Sequence, residues 1–209
     1  MRVLLPAVHV PPRGLWGRSG PVALAAMETW LDAKLPADSA PDAMILRYLA
    51  AFGPAMPADA TTWSGLRGLR EVFDRLRPRL RTYRDEHGRE LFDLPDAPLS
   101  EPDVSAPPRF LPEFDNVLLS HADRSRVIAD EYRKALTSPN GVLPGTILVN
   151  GFMRGTWTIE RHKACATLSI KPFERLSRKD TAALESAGTR LLAFAADEAG
   201  TREVRFVQP

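Results

Sequence analysis

Apolar positions along residues 42–94 follow a helical period three times and then a strand period. Behind Asp42, a residue suited to N-capping, Ile45, Leu46, Leu49, Ala50 and Phe52 define one face of a helix to Phe52, and Gly53-Pro54 ends it. Pro57 fits the first turn of a second helix, to Ser64, with Ala60 and Trp63 inward. Leu66, Leu69, Val72, Phe73 and Leu76 share one arc of a third helix, predicted over Leu66 to Arg77 and stopped by Pro78. Leu80 to Arg84 then has strand character, Glu86-His87-Gly88-Arg89 is a turn signal, and Leu91, Phe92 and Leu94 form a return strand.

Three short helices followed by a hairpin predict a winged helix-turn-helix over residues 42–95. Upstream, Val3 to Val10 and Val22 to Ala25 read as hairpin strands around a basic tip with Arg13, Trp16 and Arg18, and a short helix spans about Ala26 to Asp32. Residues 96–108 belong to a proline-rich stretch that reads as a linker. Beyond it, strands are expected at Phe114 to Leu119, Gly145 to Val149, Phe152 to Ile159 and Ala164 to Pro172, with Asn150-Gly151 as a two-residue hairpin turn. A helix over Ser177 to Asp197, with Leu184, Leu191, Leu192 and Phe194 inward, and a last strand at Val204 to Val207 complete the pattern. The expected class is α+β: a winged helix-turn-helix domain followed by a small barrel-like, mostly antiparallel β domain, residues 109–209, with a C-terminal helix.

Charge sharpens this picture only locally. The net charge is +2, yet Leu66 to Arg84 holds seven arginines against Glu71 and Asp74. Clustering of this kind, rather than a global field, is what a polyanion partner needs, so duplex DNA is the expected partner. Arg67, Arg70 and Arg77 fall beside the apolar arc of the third helix, and Arg81, Arg84 and Arg89 fall in the wing. Together they straddle a groove and its phosphates in this reading, with Arg13 and Arg18 of the upstream tip as further phosphate contacts; the alternative for that tip is a turn anchored by Trp16. A single cysteine, Cys165, points to a reducing compartment, and no apolar run of membrane length is present, so a cytoplasmic protein without a membrane partner is expected.

Catalytic motifs are absent. There is no phosphate-binding glycine loop, dinucleotide fingerprint, HExxH or GxSxG, and four scattered histidines with one cysteine offer no zinc set. No catalytic centre, metal or cofactor is therefore expected. The most suggestive cluster is Glu113, Asp115, Asn116, His121 and Asp123. Asp115, Asn116 and His121 form either an acid-base site at the domain junction or a set of structural caps. His87, at the wing tip, reads as a solvated turn residue.

The succession VPPRGLWGRSG, LRYLAAFGPAMPADATTWSGLRGLREVFDRLRPRL, RDEHGRELFDLPDAP, RFLPEFDNVLLSHADRSRV and GTWTIER resembles the winged helix DNA-binding domain-containing family of actinobacterial type. That family is related to the YcaQ-like and azinomycin-resistance DNA glycosylases, which unhook interstrand crosslinks. The resemblance implies stacked winged helices ending in a barrel-like domain, with residues 1–41 as the tail of a preceding winged helix. It also implies a catalytic glutamine followed by an aliphatic residue and glutamine or aspartate, but Gln208 is the chain's one glutamine, so that motif maps onto no residue. Three readings follow: a non-catalytic DNA-binding module, a DNA repair glycosylase relative acting on alkylated or crosslinked DNA, and a winged helix used for protein interaction. Homodimerisation would cover Val3, Leu5 and Val8.

Overall fold

The structure is a computed structural model that describes residues 6–12, 15, 20–35, 40–99, 101, 104–136 and 141–208. The chain divides into two compact units, Met1–Pro41 and Asp42–Pro209. In the first, β1 (Ala7–His9) pairs antiparallel with β2 (Leu24–Ala26), in the register Ala7 to Ala26, and α1 (Met27–Leu31) follows directly. None of its described residues is buried. The tip expected to carry Arg13, Trp16 and Arg18 lies outside the described residues, as do Val3 and Leu5.

The second unit opens with α2 (Asp42–Phe52) and α3 (Pro57–Ser64). In α2 the spacing of Ile45, Tyr48 and Leu49 puts all three in the core. Asp42 does not serve as the cap expected of it: its carboxylate receives a two-bond clasp from Arg75 at 3.1 and 2.6 Å. Pro57 starts α3, and the Asp59 carboxylate accepts the Met56 N–H at 2.7 Å. The third helix, α4, runs Leu69–Leu76 rather than from Leu66. Gly68, at φ 74°, occupies the left-handed region and resets the chain just before the helix, leaving Leu66 and Arg67 exposed in the turn. Leu69, Val72, Phe73 and Leu76 are buried on one face of α4, each contributing roughly 1.5–3 kcal/mol. A 3-10 turn over Arg77–Arg79 leads to β3 (Arg81–Arg84), which pairs antiparallel with β4 (Glu90–Asp93). Ala55 bridges to Phe92 through reciprocal 2.9 Å bonds, giving β4 a partner on the side away from β3.

Downstream, β5 (Arg109–Leu111) is followed by α5 (Asn116–Leu119), where a strand was expected. Asp115 accepts the Val117 N–H at 2.8 Å and so caps a helical turn, which overrides the apolar run. A 3-10 segment spans Asp130–Leu136. Next come β6 (Gly145–Val149), β7 (Phe152–His162), β8 (Cys165–Pro172), α6 (Arg178–Ala195) and β9 (Thr201–Phe206). The sheet order is β5-β6-β7-β8-β9, antiparallel except for the parallel β8–β9 pair. Because α6 carries the chain across before β9 joins β8 in parallel, β5 and β9 remain edges and the sheet does not close into the expected barrel. Leu184, Gly188 and Leu192 of α6 are buried, and Leu184 and Leu192 share a core with Ile147, Leu168 and Ile170. A separate core gathers Leu118, Ile128, Leu136 and Met153. Phe194, expected inward, is 70% exposed, since it lies two residues and so about 200° from Leu192. No helix among the described residues is long and apolar enough to cross a membrane.

Candidate nucleic-acid interface

The basic stretch is delivered by α4, the 3-10 turn and the β3–β4 hairpin, and tertiary placement sorts its arginines into two groups. Arg77 sends two parallel bonds to Glu90 at 2.9 and 2.8 Å, lies 3.8 Å from Asp74 and sits over the Phe92 ring. This hydrogen-bonded pairing holds the Glu90 carboxyl below its ordinary range. Arg70 lies 4.0 Å from Asp74, and Arg75 is committed to Asp42. Arg89 bridges Asp85, at 2.5 Å, and Asp123, at 2.9 Å.

The other group makes no close ion pair among the described residues, although Arg79 acts electrostatically on Asp42 and Arg84 on Glu90, which faces it across the hairpin. Arg67 extends from the turn before α4, and Arg79 from the 3-10 turn. Arg81 stacks over Tyr83 at 5.1 Å, and Arg84 donates to the Gly88 carbonyl at 2.8 Å. All four are exposed. Arg79 was not among the residues singled out from sequence: it lies off the arc of the helical wheel, and the 3-10 turn that presents it is invisible to a 3.6-residue period.

The cluster around the junction resolves differently from the sequence reading. Asp115 caps α5 and Asn116 begins it, so of the two readings these residues take the structural one. Neither Asp115 nor Asn116 lines the cleft of about 410 Å³ that His121 borders with Asp59, Asp85, Arg89, Asp123 and Arg126. His121 is buried, and both ring nitrogens are engaged: Nδ1 faces Ser120 Oγ at 3.0 Å, and Nε2, 3.1 Å from both the Phe52 carbonyl and Arg126, donates to the first or accepts from the second according to its tautomer. Burial, and then the Arg126 charge, push its pKa below the ordinary histidine value, so it is neutral at physiological pH. Asp59 is likewise saturated, by the Met56 and Ala122 N–H groups. These groups join the helical part of the unit to the 120–126 loop; nothing in their geometry aims a proton at the cleft. Among the described residues no group of histidine, cysteine or acidic side chains is disposed to hold a metal ion.

A helical and hairpin module with four exposed guanidinium groups outside close ion pairs, joined to a five-stranded sheet with a C-terminal helix, is the class of protein that the fold and surface define. A family model described as DNA glycosylase AlkZ-like matches residues 1–194, and the chain belongs to that family. In fold it is similar to the solved structure of Streptomyces sahachiroi DNA glycosylase AlkZ, with a TM-score of 0.74 and 24% sequence identity over 95% of this chain and 54% of that one. The chain thus spans about half the length of that structure. No curated protein matches it.

Proposed function

We propose that this chain is a DNA repair glycosylase relative that engages alkylated or crosslinked duplex DNA, with residues 42–95 serving as a winged helix that grips the duplex. The observation that carries the reading is the family match over residues 1–194. Support for the contact surface comes from Arg67, Arg79, Arg81 and Arg84, which are exposed and make no close ion pair among the described residues on the turn before α4, the 3-10 turn and the hairpin. Guanidinium groups in that state meet phosphates without first giving up an ion pair, whereas Arg70, Arg77 and Arg89 must exchange one. Phosphate contact of this kind carries little sequence information and is strongly salt-dependent.

Two measurements test this. Anisotropy of a labelled duplex across a salt series should show binding at low salt that weakens steeply, and the R67A/R79A/R81A/R84A variant should lose roughly three to four units of the log–log salt slope. A duplex bearing an alkylated base should yield an abasic product. Salt-independent binding refutes the phosphate surface; absence of product with binding intact leaves the non-catalytic binding module as the function. A second reading, self-association through the first unit, is favoured by the exposure of Val22, Leu24, Trp30 and Leu31 there. Sedimentation equilibrium giving a monomer at all concentrations rules it out.

A further inference from the structure

Its place in the predicted wing makes Arg89 a candidate phosphate contact, but its two carboxylate partners give it another task. We infer that the Arg89–Asp123 pair is a latch that holds the turn of the β3–β4 hairpin in the orientation required to meet DNA, making Arg89 and Asp123 positioning residues rather than phosphate ligands. The inference rests on the duplex-binding reading above.

The geometry is that of two preorganised turns joined by one guanidinium group. On the hairpin side, Asp85 Oδ1 accepts the His87 and Arg89 N–H groups at 2.9 and 2.8 Å, while Oδ2 takes Arg89 Nε. Across the gap, Asp123 Oδ1 accepts the Ser125 N–H at 3.0 Å and its hydroxyl at 2.7 Å, leaving Oδ2 for Arg89 at 2.9 Å. The loop bearing Asp123 is itself fixed to the helical part: Tyr48 donates to the Ser120 carbonyl at 2.6 Å, Ala122 N–H to Asp59 at 2.9 Å and Arg126 to the Pro54 carbonyl at 3.2 Å. Among the described residues, Arg89 makes the one polar tie between the hairpin turn and the rest of the protein; the remaining bonds of Asp85 to Gly88 stay within the hairpin. Electrostatics alone argues against placing two carboxylates beside a phosphate-binding surface, because they repel the ligand. A positioning role accounts for them: they hold the turn still, and Arg81 and Arg84 then meet the backbone already oriented.

Asp123→Asn separates the two accounts. The Asn carbonyl keeps the Ser125 bonds but loses the charge that holds Arg89. If Asp123 acts only through its charge, duplex affinity rises, as it should for Asp74→Asn, which removes a carboxylate from the same module without touching the latch. If Asp123 is the latch, duplex affinity falls about fivefold. NMR order parameters of the Glu86, His87 and Gly88 amides in the free protein then drop from about 0.85 to below roughly 0.6. Adding Asp123→Asn to Arg89→Ala should lower affinity no further, since one tie is lost in either case. Unchanged order parameters in Asp123→Asn, or affinity equal to or above wild type, overturn the latch. Failure of the wild-type chain to bind duplex at all instead removes the DNA reading, and the latch's role in it; the two failures are told apart by the wild-type measurement.

Discussion

Arg75 and Arg77 meet carboxylates 33 and 13 positions away in the chain, and that distance is why their availability could not be read from the local sequence. The count of arginines in Leu66 to Arg84 was legible; which of them are neutralised depends on where Asp42 and Glu90 are carried by the fold. The same holds for His121, whose setting between Phe52, Ser120 and Arg126 joins segments 69 residues apart. Thr146 shows the cost of a polar group placed without such a partner. Its side-chain oxygen is buried in β6 and is unpaired among the described residues, while Ile147 and Val149 beside it lie in the core. Thr146→Val keeps the β-branched shape and removes the orphaned hydroxyl, so it should stabilise the protein by about 1 kcal/mol, seen as a higher urea midpoint at unchanged slope. A lower midpoint would mean that the hydroxyl has a partner under solution conditions.

At the scale of elements, α2 and α3 were legible because pattern and punctuation agree: apolar residues at helical spacing, Gly53-Pro54 behind one and Pro57 ahead of the other. The hairpin turn at Asn150-Gly151 was legible for the same reason, both residues standing at positive φ. Where punctuation and period conflict, the period misleads. Gly68 cuts the apolar stripe of α4 at Leu69, and the Asp115 cap turns an apparent strand into α5. The sheet's openness was illegible because the parallel pairing of β9 on β8 leaves no local mark. Gly155 reveals how closely β7 and β8 approach: a Cβ there would stand 2.5 Å from the Lys171 carbonyl oxygen and 2.7 Å from Pro172 Cα. Both are backbone atoms in a paired strand and cannot swing aside. Gly155→Ala should therefore destabilise the sheet by roughly 2–3 kcal/mol, read from chemical denaturation.

For the molecule as a whole, titration of the polar ties couples stability to pH, with a sign fixed by each group. Burial, then the Arg126 charge, lower the His121 pKa below the unfolded value of 6.5. The unfolded chain therefore takes up the proton first, and the stability that neutral His121 supports is complete above that value and is lost as pH falls from it through the lower folded value. Hydrogen bonds from Ser125 and then Arg89 hold Asp123 low, and bonds from Arg75 and Arg77 do the same for Asp42 and Glu90. Their contribution is present above the ordinary carboxylate range and is lost as pH falls through their depressed values, on a second, more acidic limb. Asp93 runs the other way: burial raises its pKa, so across the interval between its ordinary and raised values, rising pH costs stability. The expected profile is a plateau near pH 7, a shallow decline on acidification from the histidine range, and a steeper one in the carboxylate range. His121→Gln removes the titrating group and should flatten the upper step while leaving the lower limb in place. Urea midpoints measured at half-unit pH intervals for both proteins decide it: an upper step of equal size in His121→Gln assigns that step to another group.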